Sequence, residues 1–252
     1  MSTKPESKLN HLLQSTPRGT VLLSSWLVEQ GYSHDLQQKY LRSRWLTPLG
    51  RGAYKRTGDE AGIFGGLYAL QKQAKKNIHI GGPSALYLQG HAHYIAMENQ
   101  ALTLFTTPGL KLPSWFSSHW SDEYTIRRTS FLPVDDALIT YDTGNFEISV
   151  SSLARAMMEC LEMAPEHFDL EEAWLIMESL NSLQPRQVQR LLEQCKSVKT
   201  KRLFLYFAEK ASHAWFKYLD VSVINLGKGK RSIVKNGTFE PKYQITLPGQ
   251  LV

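Results

Sequence analysis

The sequence predicts an α+β protein, in which a small N-terminal helical unit ending in a hairpin precedes a larger mixed α/β domain. Three observations carry that expectation. The first 56 residues follow the order helix, strand, helix, helix, hairpin. The whole formal charge of +6 lies in that stretch, which holds nine Lys or Arg against three acids, so the rest of the chain is balanced. Beyond residue 57, short apolar runs suited to strands alternate with longer amphipathic segments.

Taken in order, residues 5–15 set Leu9, Leu12 and Leu13 on one helical face, and Thr16-Pro17-Arg18-Gly19 ends the pattern. Val21-Leu22-Leu23 suits a short strand. Ser24 or Ser25 is expected to cap a helix that stops at Gly31, and Ser33 to cap another over 34–44, because a hydroxyl satisfies first-turn N–H groups and glycine accepts the turn after the last. Trp45-Leu46-Thr47 and Ala53-Tyr54-Lys55 flank Gly50 and Gly52, a hairpin signature. This is the order of a winged helix-turn-helix, expected over residues 1–57. The small polar run from Thr57 to Gly62 marks the expected boundary with a second domain over 58–252, whose pattern changes near 144.

In that second domain a helix is expected over 64–75 and a strand over 77–80. A Gly81-Gly82-Pro83 turn then leads into a helix from Ser84. Strands follow at 102–106 and 124–131. Ser151 or Ser152 begins an amphipathic helix reaching Met163. Helices near 169–181, 185–195 and 201–220 precede a β-rich tail over 221–247.

On the third helix, Leu36 and Tyr40 lie one turn apart and form the expected core stripe. The opposite face shows His34, Gln38, Leu41 and Arg42, with Gln37 beside it. Gln matches the edge of adenine and Arg that of guanine, so Gln37, Gln38 and Arg42 are the candidate base contacts. Lys39 and Arg44 sit where long stems reach phosphates, and Arg51, Lys55 and Arg56 on the hairpin are expected to clamp the backbone. Lys228, Lys230 and Arg231 make a second basic stretch near the C-terminus, suited either to a solvated face or to further phosphates.

Other chemistries find little support. His91-Ala92-His93 lacks a third and fourth ligand nearby, and no metal or other cofactor is expected. Gly81-Gly82 before a helix could cradle a phosphate, but the Lys-Ser/Thr of a Walker loop is missing. Asp135-Asp136 lies too far on to complete a nucleotidyltransferase metal site, and Asp142 with Glu147 lacks a following lysine for a nuclease. Cys160 and Cys195 read as free buried thiols. No apolar run approaches the roughly 20 residues of a membrane helix, and the N-terminus has no secretory pattern, so a cytoplasmic protein with no membrane partner is expected.

The segment 40–56, with Trp45-Leu46 and Gly50-Arg51-Gly52-Ala53-Tyr54, resembles the N-terminal winged-helix domain of AbiEi-type antitoxins from type IV toxin–antitoxin systems. Gly81-Gly82-Pro83-Ser84-Ala85-Leu86 with Gly90-His91-Ala92, and the basic tail over 227–248, resemble the same family. The likeness runs from near residue 6 to near 248. One departure stands out: the family often has glycine before the tryptophan, where this chain has Arg44. The resemblance implies a non-enzymatic antitoxin active in phage defence by abortive infection, which represses its own operon. Its partners would be the inverted repeats of double-stranded promoter DNA and a cognate nucleotidyltransferase toxin. The rival readings are a metal-dependent nuclease or nucleotide-processing enzyme targeted by the winged helix, and a ligand-sensing transcription factor.

Overall fold

A computed structural model describes residues 8–91 and 101–252. These divide into two compact units. The first runs through His79 and takes in Gly109–Tyr124 and Thr140–Ser149; the second comprises Ile80–Pro108, Thr125–Ile139 and Val150–Val252.

The first unit opens with α1 (Lys8–Ser15), β1 (Leu22–Leu23), α2 (Ser24–Glu29) and α3 (His34–Arg42), then the hairpin β2 (Leu46–Gly50) and β3 (Ala53–Arg56). The strands make a sheet of order β1-β3-β2, so the wing is anchored to the strand that precedes the helix-turn-helix. Leu12, Leu22, Leu27, Tyr32, Tyr40 and Leu46 form the buried centre of this head. Fully burying aliphatic side chains of this size contributes about 1.5–3 kcal/mol each.

Three details depart from the sequence expectation. Neither Ser24 nor Ser25 caps α2, which begins after Leu23 with no side-chain cap; the Ser24 hydroxyl turns to Gln37 instead. The helix expected over 64–75 is α4 (Ile63–Tyr68) continuing into a π-helical turn, Ala69–Gln73. The run from Thr57 to Gly62 is a local break, and the first unit continues well past it.

That continuation includes α6 (Ser114–His119), which the sequence reading did not anticipate. Its Trp115 and Phe116 stack edge-on with Trp120, at ring separations of 6.2 and 5.2 Å. A Cβ on Gly50 would stand 2.7 Å from Trp115 Cβ, so the end of β2 abuts this aromatic cluster. Gly66 packs as tightly beneath Trp120.

Further along the chain come β4 (Ile78–Ile80), β7 (Leu138–Asp142) and β8 (Glu147–Ser151). With β5 (Leu102–Thr106) and β6 (Tyr124–Arg128) they form a sheet of order β6-β5-β4-β8-β7, β4 and β8 being parallel through Ile80 and Val150. β7 was also unanticipated. In the second unit α5 (Gly82–Leu88) packs on α7 (Leu153–Met163), which α8 (Leu170–Ser179), α9 (Pro185–Gln194) and α10 (Val198–Lys210) surround. Ser152 caps α7, as expected. Met157, Met158, Cys160, Leu161, Phe204 and Phe207 are wholly buried among these helices. The helix expected over 201–220 is α10, which ends at Lys210 where Ser212 takes a left-handed conformation. The tail holds β9 (Arg231–Ser232), β10 (Thr238–Glu240) and β11 (Ile245–Leu247) in a small sheet of order β10-β11-β9.

Candidate nucleic-acid interface

α3 is built as a reading helix would be. The Ser33 hydroxyl accepts the Leu36 N–H at its start, Asp35 lies in its first turn and Lys39 and Arg42 in its last. Each charge suits the end of the helix dipole it occupies. Gln38, Lys39 and Arg42 are exposed on one arc together with His34 and Asp35.

Gln37 is not on that arc. It is 1% exposed. Its amide nitrogen donates to the backbone oxygens of Ser24 and Tyr32, at 3.2 and 2.8 Å, and its oxygen accepts the Ser24 hydroxyl at 2.6 Å. The side chain therefore locks α2 to α3 and has no group left for a base. Leu41 likewise turns partly inward, against the core of the head. The sequence reading placed the arc one residue too far round because it counted only Leu36 and Tyr40 as apolar and took a polar amide for an exposed one. A buried amide is stable where its donors and acceptors are met.

Arg56 is the second correction. It is 9% exposed, and one guanidinium nitrogen donates to the oxygen of Leu13 at 2.6 Å, to the Thr16 hydroxyl at 2.5 Å and to the Thr16 carbonyl. Burial lowers its pKa. Placed on the last carbonyls of α1, it closes that helix onto β3, a role natural for a cation at a helix C-terminus. It is a structural tie inside the head, not a phosphate clamp.

The remaining hairpin cations are available. Arg51 is exposed at the tip between Gly50 and Gly52, whose φ of 74° requires the freedom of glycine, and Lys55 is half-exposed on β3. The Ser24 N–H donates to the Gly52 oxygen at 2.9 Å. Because the Ser24 hydroxyl also meets Gln37, one residue holds the wing tip and α3 together.

Arg44 explains the departure from the family pattern. Its φ is 57°, and the Trp45 N–H reaches back to the Tyr40 oxygen at 2.9 Å, so Arg44 stands at the left-handed residue that ends α3. Glycine is favoured there because a Cβ is unfavourable. Replacing Arg44 by glycine is expected to raise stability by up to about 1 kcal/mol, while lowering the salt slope of duplex binding by about one. Thermal melts and a salt titration of binding would read the two effects separately; a variant that loses stability would contradict the assignment.

The C-terminal stretch is a braced loop. Arg202 is 2% exposed. Its guanidinium donates to the backbone oxygens of Leu226 (2.8 Å), Gly229 (2.7 Å), Gln244 (3.2 Å) and Gly227 (3.3 Å). Lys228, Lys230 and Arg231 are all exposed on the loop so held. Lys230 lies over the Phe239 ring at 4.7 Å.

The Gly81-Gly82 turn is not an anion cradle. The Gly82 N–H donates to the Glu159 carboxylate at 2.8 Å, and that carboxylate is fully buried with Arg155 (2.9 Å) and the Ser151 hydroxyl (2.8 Å). The protein's own anion occupies the place a phosphate would take. Asp142 accepts the Gly144 N–H in a turn, and Asp136 pairs with Arg190 through two bonds of 2.7 and 2.8 Å, which lower its pKa. Among the described residues no group of three or more His, Cys, Asp or Glu is placed to hold a metal. Ala92 and His93 lie outside the described residues. Both cysteines are free and buried, which drives their thiol pKa values up, that of Cys195 to about 11. No described helix is long and apolar enough to cross a membrane.

The head is a winged helix-turn-helix with cations along its exposed arc and wing, and the family models that match the chain describe a transcriptional regulator. The chain belongs to the AbiEi antitoxin family of type IV toxin–antitoxin systems. A family model described as the AbiEi antitoxin N-terminal domain of a transcriptional regulator matches residues 5–97, and one described as a transcriptional regulator, AbiEi antitoxin, of a type IV toxin–antitoxin system matches residues 99–248. The two models meet near residue 98. Among solved structures, the crystal structure of the RV2827C protein from Mycobacterium tuberculosis matches with a TM-score of 0.60 at 14% identity, covering 94% of this chain and 88% of that one. At that identity the likeness is one of fold. No curated protein matches the chain in sequence.

Sequence reasoning missed one further cluster in the head. Lys72, Lys75 and Lys76 are exposed on the turn that ends the π-helical segment. Three lysines in five residues without an acid was the available signal, hidden because charge was balanced over everything beyond residue 57.

Proposed function

We propose that this AbiEi-family regulator binds the double-stranded DNA of its own promoter through the winged helix, represses its operon at inverted repeats, and neutralises a cognate nucleotidyltransferase toxin. The reading is supported most by the arrangement around α3. Gln38 and Arg42 stand outward on a helix whose other face is fully engaged, with Lys39, Arg44, Arg51 and Lys55 distributed about it. Such a helix fits a major groove, and cations beside it meet phosphates on either strand. Gln38 and Arg42 supply the base contacts. The other four cations contact the backbone. The braced loop with Lys228, Lys230 and Arg231 offers a second phosphate-contacting patch.

Fluorescence anisotropy with promoter and scrambled duplexes across a salt series tests this. Arg51→Ala is expected to weaken both duplexes alike and to reduce the magnitude of the log K against log salt slope by about one. Arg42→Ala is expected to relax preference at one base pair by about 1–3 kcal/mol while leaving other positions unchanged. Unchanged binding by both variants would end the winged-helix assignment. Co-expression with the product of the adjacent reading frame tests the antitoxin half: growth restored only when this chain is present is the expected result.

A further inference from the structure

We infer that the turn bearing Lys72, Lys75 and Lys76 is a phosphate-contacting surface of the head, holding duplex DNA beyond the base pairs that α3 reads. The inference rests on the duplex-binding function proposed above and extends its footprint.

The turn is rigid. After the π-helical segment, the Ala74 N–H returns to the Ala69 oxygen at 2.9 Å and the Lys76 N–H to the Leu70 oxygen at 2.8 Å, with Lys75 left-handed at φ 51° between them. Gln73, buried in the middle of the lysines, donates to the Val21 oxygen and accepts the Leu23 N–H, both at 2.8 Å. The backbone that carries three exposed lysines is thereby held beside the junction of β1 with α2.

That junction is also where the reading elements converge. Leu23 is bonded to Gln73, while Ser24, the next residue, is bonded to the wing tip through Gly52 and to α3 through Gln37. Lysine turn, wing and reading helix are therefore tied to two consecutive residues. Between the turn and one face of α2 lies an open depression of about 570 Å³ lined by Ser25, Trp26, Glu29 and the three lysines. Trp26 is half-buried against the head's core, giving a firm floor. A cationic rim around this depression suits a sugar-phosphate chain, whose contacts are mostly ionic and indifferent to sequence. Glu29 is the one opposing charge, and it gives the inference a test of the opposite sign.

The experiment compares the full chain with a Lys72→Gln, Lys75→Asn, Lys76→Gln triple variant, asparagine being chosen because it tolerates the left-handed position. Binding is measured by anisotropy against a long promoter duplex and against one trimmed to the base pairs that α3 and the wing cover. On the long duplex the triple variant is expected to bind at least tenfold more weakly at about 0.1 M salt, with a slope lower by about two to three. On the trimmed duplex it should match the parent, and Arg51→Ala should remain weak on both. Glu29→Gln should tighten the long duplex about two- to fivefold, and a triple Lys→Arg variant should bind as the parent does. Unchanged melting temperature secures that the fold is kept. Equal affinity and slope for the triple variant and the parent on the long duplex, with Arg51→Ala still defective, would overturn the inference and leave the winged-helix reading standing; loss of effect in Arg51→Ala as well would remove both.

Discussion

Glu159→Ala is expected to destabilise the chain by about 3–5 kcal/mol, the cost of leaving one member of a buried ion pair without its partner. The carboxylate is fully buried and takes hydrogen bonds from Arg155, Ser151 and the Gly82 N–H, while Arg155 also donates to the backbone oxygens of Pro133 (2.7 Å) and Asp136 (2.5 Å). One acid thus closes the Gly81-Gly82 turn onto α7 and holds the segment before β7. Glu159→Gln should lose nearly as much, because three donors converge on two oxygens and an amide supplies only one oxygen and a further donor. Chemical unfolding of the three proteins measures this. A Gln variant within about 0.5 kcal/mol of the parent would contradict both the buried ion pair and the need for two acceptor oxygens at the site.

The second large effect is expected at Arg202. Arg202→Met keeps much of the side-chain volume and removes the donors that meet four carbonyls, so stability should fall by about 3 kcal/mol. Arg202→Lys should recover less than half, since one ammonium cannot span the set that a planar guanidinium spans. Hydrogen exchange separates a local from a general effect: amides over 226–233 should lose protection well before those of α10. Uniform loss throughout the second unit would mean that Arg202 acts on the core and not on the loop. The same variant weakens any phosphate contact made through Lys228, Lys230 and Arg231, because those side chains would leave a loop that no longer has one shape.

The winged head was legible because its signals are local. Ser33 as a cap, Gly50 and Gly52 in the hairpin, and the apolar pattern of the first helix are each decided within a few residues, and all point to the same order of elements. Ser152 at the start of α7 was legible for the same reason. The misreadings needed distant partners. Nothing near Gln37 or Arg56 in the chain announces that one is absorbed by Ser24 and Tyr32, or that the other is absorbed by Leu13 and Thr16 some forty residues away. Six-residue α6 is too short to display a period, and the alternation of β7 is interrupted by polar Thr140 and Asp142 within only five residues. Of the residues expected to contact DNA, Gln38, Lys39, Arg42, Arg44 and Arg51 are exposed and Lys55 half-exposed, while the place of the lysine turn beside α2 depends on the distant bonds of Gln73 to Val21 and Leu23.

The tight seat of Gly50 against Trp115 changes how the head can be handled. A fragment cut at the end of the hairpin would keep α3 and the wing and yet strip the wing of the aromatic buttress that arrives some sixty positions later. Dissection by truncation is therefore a poor guide to which part of this molecule does what. Point changes in the intact polypeptide, at side chains that face water, preserve the scaffold on which any comparison depends.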